Sequence, residues 1–404
     1  MRRAAVPALA LLVAGWALTL WVMPWSDQSL NDLPVYLAFA QPVLDGSMPY
    51  RDIAFEYPPL AAPVIALPGL AGTGVETFRW AFALWTLAGG VALVLLCGGL
   101  ARATDGDARR AMLAAALMPV LLGALVRTHF DVFPVVLLLA GLLLLCRDRP
   151  RTGLAVLGAG GMLKVFPLVA VPVALAWLLK RGLRREAWQS ALACAAVLLC
   201  VGAAAVAVSP SGAENAVRFH LDRPLQVEST PALVLVGLDE LGLGDADRVG
   251  SHRSDGIEHP ADGPLTGLFT TALLAMLALL TLRTGTGRRE LVAASLAAVV
   301  AFAVLGKVLS PQFVIWAVPL GALAFAWRDH PLAGVVVVAA VLTLIEFPAH
   351  YLDFLERDPA AVALVAGRNL LLLAALALVL RRLGLGRQQE LLDRGRAPVA
   401  VGVD

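Results

Sequence analysis

The chain has 404 residues, 59% hydrophobic and 15% charged, with a mean hydropathy of +0.79. Soluble domains carry about 25% charged and 45–50% apolar residues, so this composition excludes a soluble enzyme. It also excludes a disordered chain, which needs low hydrophobicity and high net charge. The net charge of +2 comes without a basic face, and nucleic acid is not an expected partner. What remains is an all-α integral membrane protein, because lipid leaves backbone groups no partner outside a helix or a closed barrel.

In chain order, Arg2 and Arg3 precede an apolar run over 5–24. Trp21, Pro24 and Trp25 stand where a signal peptide would have its small-residue cleavage site, so the run reads as a retained first span. Further apolar runs cover 80–101, 111–126, 132–146, 152–163, 165–179, 187–208, 264–282, 290–306, 312–327, 332–347 and 360–380. Counted with the first, they predict about twelve crossings. Alternating crossings then place 21 of the 32 basic residues on one side, among them Arg109, Arg110, Arg147, Arg181, Arg288 and Arg381. Lys and Arg collect in the cytoplasm, so both termini are expected there.

Two stretches resist a simple count. Residues 57–72 are short and broken by Pro58, Pro59, Pro63 and Pro68, which predicts an interfacial helix. Residues 152–179 are basic at both flanks, and Gly158, Gly160, Gly161 and Pro167 predict two half-spans meeting near Lys164. The outer face then holds loops over 25–79 and 209–263, with short tips at 127–131, around Lys164, at 307–311 and at 348–359. Residues 1–380 are expected to form one polytopic domain. The tail 381–404 is expected to be disordered, and the Gly-rich part of the second loop, 242–263, to be mobile. All four cysteines lie in apolar runs, which predicts no disulfide framework, and no metal-ligand spacing appears.

The residues suited to chemistry lie on the predicted outer side. The first loop carries Asp27, Asp32, Asp45, Asp52 and Glu56 among Tyr36, Phe39, Tyr50, Phe55 and Tyr57. A surface carboxylate can serve as a general base toward a hydroxyl. Asp32, two residues before Pro34, equally suits an N-cap for a helix over 33–44. Lys164 and Lys307 each sit at a span end, where an ammonium snorkels outward or holds an anion. Arg127-Thr-His129-Phe-Asp131 reads as a tight tip closed by an Arg–Asp pair. The segment Arg218 to Ser229 adds His220, Arg223 and Glu228, and Phe347-Pro-Ala-His350-Tyr351 completes the outer ring.

Together these pieces resemble the glycosyltransferase 87 family of the GT-C superfamily. The resemblance rests on Asp32 with Val35 and Tyr36, and on Gly46 with Pro49 and Tyr50. It rests further on FEYPPL from Phe55, Lys164-Val-Phe-Pro, HLDRPLQVES from His220, Lys307 with Ser310-Pro-Gln312, and Phe347-Pro with Tyr351. It implies a GT-C-type bundle of about twelve helices with outer-face juxtamembrane helices in the first loop. It also implies an inverting transfer of a hexose, commonly mannose, from a polyprenyl-phosphate donor to a lipid-linked or cell-wall glycan outside the membrane. Asp32 is then the base, with Asp27, Asp52 and Glu56 as alternatives. Lys164, Lys307, Arg218 and Arg223 are the candidates for the donor phosphate. Tyr36, Tyr57, His129, His220, Gln312, His350 and Tyr351 are the substrate-binding candidates. The sugar-lipid is a co-substrate, and no metal or other cofactor is expected. A lipid flippase without transferase activity, or a silent partner subunit, are the competing readings.

The topology has a direct check. Single cysteines at Ser47 and Ser254 are expected to react with an impermeant thiol reagent in intact cells, and one at Gln388 is not. Labelling at Gln388 but not Ser47 would invert the protein.

Overall fold

The computed structural model describes residues 2–395, with side chains from 5 to 384. Helix dominates, as the apolar runs require. Helix α1 (Arg2–Trp21) leads through a loop into α2 (Leu33–Leu44), which has Pro34 in its first turn. Then come α3 (Ala61–Ala66), extended by a 3-10 turn over Leu67–Ala71, and the long α4 (Val75–Ala103). The eleven residues Ala61–Ala71 reach roughly 16 Å, too short to cross a bilayer alone.

The run predicted as one span over 111–126 is instead three short helices: α5 (Ala108–Ala116), α6 (Met118–Leu122) and α7 (Leu125–Thr128). Pro119 and Gly123, the latter at φ +57°, break it. A side chain at Gly123 would meet Leu344 and the backbone of Trp25, so the turn also packs tightly. Helices α8 (Val132–Cys146) and α9 (Pro150–Leu163) follow. The helix then stops at Lys164 and resumes through a 3-10 turn, Phe166–Val169, into α10 (Ala170–Lys180).

Helix α11 (Arg184–Val208) continues into the amphipathic α12 (Pro210–Leu221), started by Ser209, whose Oγ accepts from Gly212 N. Next are β1 (Leu225–Gln226), α13 (Thr230–Glu240), β2 (Asp247–Ser251) and β3 (Ser254–Glu258). The stretch 242–263, expected to be mobile, thus carries a β-hairpin, and the fold is not purely helical. The strands form an antiparallel sheet in the order β1-β3-β2, with Leu225 opposite Ile257 and Val249 opposite Gly256. Ile257 and Leu225 bury one face against Val236, Phe354 and Val365, which gives the hairpin a core of its own.

The chain ends with α14 (Asp262–Arg283), α15 (Arg288–Val304), α16 (Val314–Ala326), α17 (His330–Glu346), α18 (Tyr351–Leu355) and α19 (Pro359–Gly395). The tail expected to be disordered from 381 continues α19 to Gly395, and its remainder lies outside the described residues. Among the described residues four helices are long and apolar enough to cross a membrane: α4, α11, α14 and Pro359–Gly384 of α19. The other apolar helices are shorter, and α2 and α3 among them form a cluster of their own with Phe78, Phe82 and Phe130.

Hydrogen bonds sort the connections into two ends. At one end Asp148 pairs with Arg181 and Arg288, Lys180 donates to Leu282 O and Thr284 O, and Trp327 Nε1 donates to Thr104. At the other end lie Asp32, Lys164, the sheet and Lys307. Where α8 crosses α9, a Cβ on Gly141 would stand 2.9 Å from Gly153 O, and the reverse contact is equally short. Small residues let membrane helices approach this closely. Gly141→Val is expected to cost about 1–3 kcal/mol by overpacking and to lower the thermal midpoint in detergent. Gly334→Ala, which meets nothing within 4 Å, is expected to leave the midpoint unchanged or raise it.

Candidate active site

The site is built around Asp32. It occupies the N-cap position of α2, yet its carboxylate caps nothing. Asn31 does that work, its Oδ1 accepting from Leu33 N at 2.9 Å. The Asp32 side chain is 35% exposed, and its Oδ2 accepts from Tyr36 Oη at 3.0 Å, one helical turn on. Tyr36 is buried, stacked on Phe82 at 5.2 Å and edge-on to Phe130. Tyr57 closes the same aromatic cluster with Phe39, Phe55 and Phe130.

His129 Nε2 stands 3.6 Å from Asp32 Oδ2. The hydroxyl of Thr128 lies 2.9 Å from both Ala124 O and His129 Nδ1. It has one proton; given to the carbonyl, that leaves it to accept from Nδ1–H. In the neutral ring Nε2 then turns a lone pair toward Asp32. Arg127 holds the first loop in place, donating to Thr19 O, Gln28 Oε1 and Ser26 O. The Arg127–Asp131 pair read from the sequence does not form.

Asp131 serves Lys164 instead. Lys164 Nζ and Trp316 Nε1 both donate to its Oδ1 at 2.7 Å. The ammonium also lies 5.0–5.5 Å from the rings of Phe130, Phe313 and Trp316. Lys164 is thus neutralised by a fully buried carboxylate. Gln312 sits in the 3-10 turn Pro311–Phe313, next to the Phe313 ring.

Lys307 is different. Its described hydrogen bond goes to Leu221 O at 2.7 Å, one of three donors an ammonium has. Burial and nearby Arg223 hold its pKa below the usual lysine value. Arg223 donates to Ser254 Oγ, and its buried Nε has no partner. Burial also lowers the Arg223 pKa, against the pull of Tyr57, Glu56, Asp32 and Tyr351. His220 Nε2 donates to Glu56 O, and burial pushes the His220 pKa down, helped by Arg223, Lys164 and Lys307. Arg223, within the electrostatic reach of Asp32 and Glu56, and its neighbour Lys307 are thus two cations with donors to spare. The Lys307 loop is pinned by the sheet: Gln226 N donates to Lys307 O and its Oε1 accepts from Leu309 N. Gln226 is held in turn through Glu228, which is locked to Arg368 and Asn369 of α19.

Other candidates fall outside this group. Arg218 lies on the exposed face of α12, paired with Glu214. Asp27 is spent on a local turn to Ser29 N. Asp52 accepts from Arg51 and Met48 N, which hold its pKa down at about 2. His350 pairs with Asp353 at the rim, while Tyr351 Oη donates to Asp255 within reach of Arg223. Sequence reasoning missed Arg253, at the tip of the β2–β3 hairpin. It sits 3.4 Å from Glu56 Oε2 and over the Phe39 ring. It also missed Asp131 and Arg368 as partners of buried charges. Arg368 stood as a lone cation within an apolar run, a signal for a buried acid.

Glu56 gives a pH test. Burial raises its carboxyl from an ordinary 4.5 to about 7, with Asp32 adding to the rise and Arg253 and Arg223 opposing it. The folded state thus holds a proton that the unfolded chain has lost. Stability is expected to fall as pH rises from about 4.5 to 7, by up to about 3 kcal/mol, and to level off above. His220, with its lowered pKa, acts in the opposite sense below about pH 6.5. The thermal midpoint of Glu56→Gln should therefore lack the Glu56 decline, and identical pH slopes in both proteins would refute the assignment.

One family model matches part of the chain. Residues 50–181 match the family model of the alpha-(1->6)-mannopyranosyltransferase N-terminal domain, the MptA/B family. That segment carries Glu56, Tyr57, His129, Asp131 and Lys164 and begins after Asp32. The crystal structure of the Archaeoglobus fulgidus oligosaccharyltransferase in the apo form superposes with a TM-score of 0.44 and 14% identity. The alignment covers 93% of this chain and 56% of that one, so the chain spans little more than half of its length. No curated protein matches the chain.

Proposed function

We propose that the protein is a membrane glycosyltransferase that moves a hexose, in the simplest case mannose, from a polyprenyl-phosphate donor to a lipid-linked or cell-wall glycan. The observation that carries this reading is the state of Asp32: a carboxylate released from capping, 35% exposed and within the electrostatic reach of Arg223, a cation with a donor to spare. The matched mannosyltransferase family segment supports the sugar. In the proposed topology the short apolar helices are further crossings, making about twelve, and the site faces outward, as the charge bias expects.

The acceptor hydroxyl attacks the anomeric carbon. The bond from that carbon to the phosphate oxygen breaks, and polyprenyl phosphate leaves with the electron pair. Asp32 takes the hydroxyl proton, and inversion follows from a single displacement. His129 Nε2 is oriented to receive the proton from Asp32; their 3.6 Å gap must tighten in the complex, as apo contacts at such sites commonly do. Arg223 and Lys307 stabilise charge growing on the phosphate, in a site where burial strengthens each contact. Lys164 and Asp131 position His129 and the helix break. The lipid tail lies along the apolar surfaces of α11 and α14, both largely exposed.

Asp32→Asn is expected to leave a folded protein, since Asn31 does the capping, and to slow sugar transfer by about 10²–10⁴. Asp27→Asn should retain transfer. Normal transfer by Asp32→Asn in membranes supplied with a radiolabelled polyprenyl-phosphate sugar and an acceptor extract would overturn the reading. Lys307→Met should raise the donor KM by roughly 10-fold or more, a charge-assisted bond being worth about 1.5–3 kcal/mol. Lys164→Met should instead lower stability, because it strands Asp131.

A further inference from the structure

The β2–β3 hairpin crosses from the support of the cations to that of the acids. Its root is fixed: Ile257 packs with Val236 and Phe354, and a Cβ on Gly256 would stand 2.6 Å from Pro224. Beyond the root, Tyr351 donates to Asp255 and Arg223 to Ser254. The two-residue turn His252-Arg253 then reaches the first loop. Arg253 Nη1 lies 3.4 Å from Glu56 Oε2, and its guanidinium sits 4.8 Å over the Phe39 ring. Phe39 lies on α2, which Asp32 precedes, seven residues or roughly 10 Å further along.

This turn is strained, and its hold on the first loop is slight. His252 and Arg253 both have positive φ, +51° and +55°. That conformation suits a tight hairpin turn, but Asn and Gly are the residues that adopt it readily, and a larger side chain there is costly. Arg253 makes no hydrogen bond among the described residues, so it holds the first loop by the ion pair and the ring face. Its side chain is 44% exposed, and ion pairs open to solvent are weak. Helix α12 reaches the first loop by firmer means. His220 Nε2 donates to Glu56 O, and a Cβ on Gly212 would stand 1.9 Å from Tyr50 O. Of the two crossings, α12 is packed in place and the hairpin tip is releasable.

We propose that the Arg253–Glu56 pair is a latch that holds the β2–β3 hairpin closed across the Asp32 site, and that its release lifts the tip and opens that site. That the opening admits a sugar-lipid rests on the transferase reading above. The latched tip binds the first loop through Glu56 and leaves Asp32 itself unpaired with any arginine. Ser254, at the base of the turn, moves with the tip, so opening also frees the Arg223 donor that Ser254 holds.

The test uses the full-length protein in lipid nanodiscs with Cys200→Ser, which removes the exposed native thiol. It is run at pH 8, where Glu56, its carboxyl pushed up to about 7, is ionised. Spin labels at Ser47→Cys and Gly250→Cys report the gap between first loop and hairpin by double electron–electron resonance. With the latch intact a short distance should dominate. Arg253→Gly is the sharpest variant, because glycine relieves the turn while removing the guanidinium. A latch predicts a second, longer distance in that variant. It also predicts that a lone Asp32→Cys thiol, without the spin-label cysteines, reacts with a water-soluble reagent roughly threefold faster or more, the scale of a partly exposed ion pair. Glu56→Gln should act in the same direction; if it does not fold, Arg253→Gly alone decides. If the contact merely follows from the turn, Arg253→Gly keeps the short distance and the slow rate, and the latch is overturned. A longer distance with an unchanged Asp32→Cys rate would overturn closure of the site. Neither readout depends on sugar transfer. Normal transfer by Asp32→Asn would therefore remove the sugar-lipid as the molecule admitted and leave the latch standing.

Discussion

The arrangement depends on one buried carboxylate. Asp131 is fully excluded from solvent and accepts from Lys164 and Trp316 through a single oxygen. A charge in such a place is tolerated only when it is paired, and breaking a buried pair costs about 3–5 kcal/mol. The pair fixes the start of α8 against the break after α9 and against α16. The helix stops at Lys164, and there its ammonium reaches Asp131. His129 lies two residues before Asp131 and inherits its position. The face His129 shows to Asp32 is therefore set from inside the bundle.

The cations are fixed from another direction. Glu228, gripped by Arg368 and Asn369, anchors the segment after α12 to α19. Gln226 carries that anchorage to the Lys307 loop, and the sheet carries it to Arg223 and Arg253. Acids and cations are thus mounted on separate supports. Arg253 and His220 both bridge them, through Glu56. Such mounting keeps the Asp32 carboxylate from being neutralised by the cations that face it.

Much of this was legible in the sequence, for physical reasons. Apolar runs marked the helices, and Gly and Pro marked the break at Lys164. Asp32, Tyr36, Tyr57, His220 and Arg223 were singled out from their loops and do converge. What was not legible depended on distance. Asp131 and Lys164 are 33 residues apart and Glu228 and Arg368 are 140 apart, so local spacing could not pair them. The stretch after 242 looked mobile because it is polar and rich in glycine. Two inward residues, Ile257 and Ala246, suffice to seat it because Phe354 and Val236 already offer a surface. Asp32 looked like a cap because nothing in the sequence said that Asn31 would take that role.

The central claim is that Asp32 and the cation pair Arg223–Lys307 face one bound donor. The most direct measurement is an experimental structure of the protein with polyprenyl phosphate. The account predicts the phosphate against Arg223 and Lys307, its free face open to Asp32, and the lipid passing out beside α14. A phosphate held at the basic end near Arg181 and Arg288, or at Arg218 on the far face of α12, would contradict it.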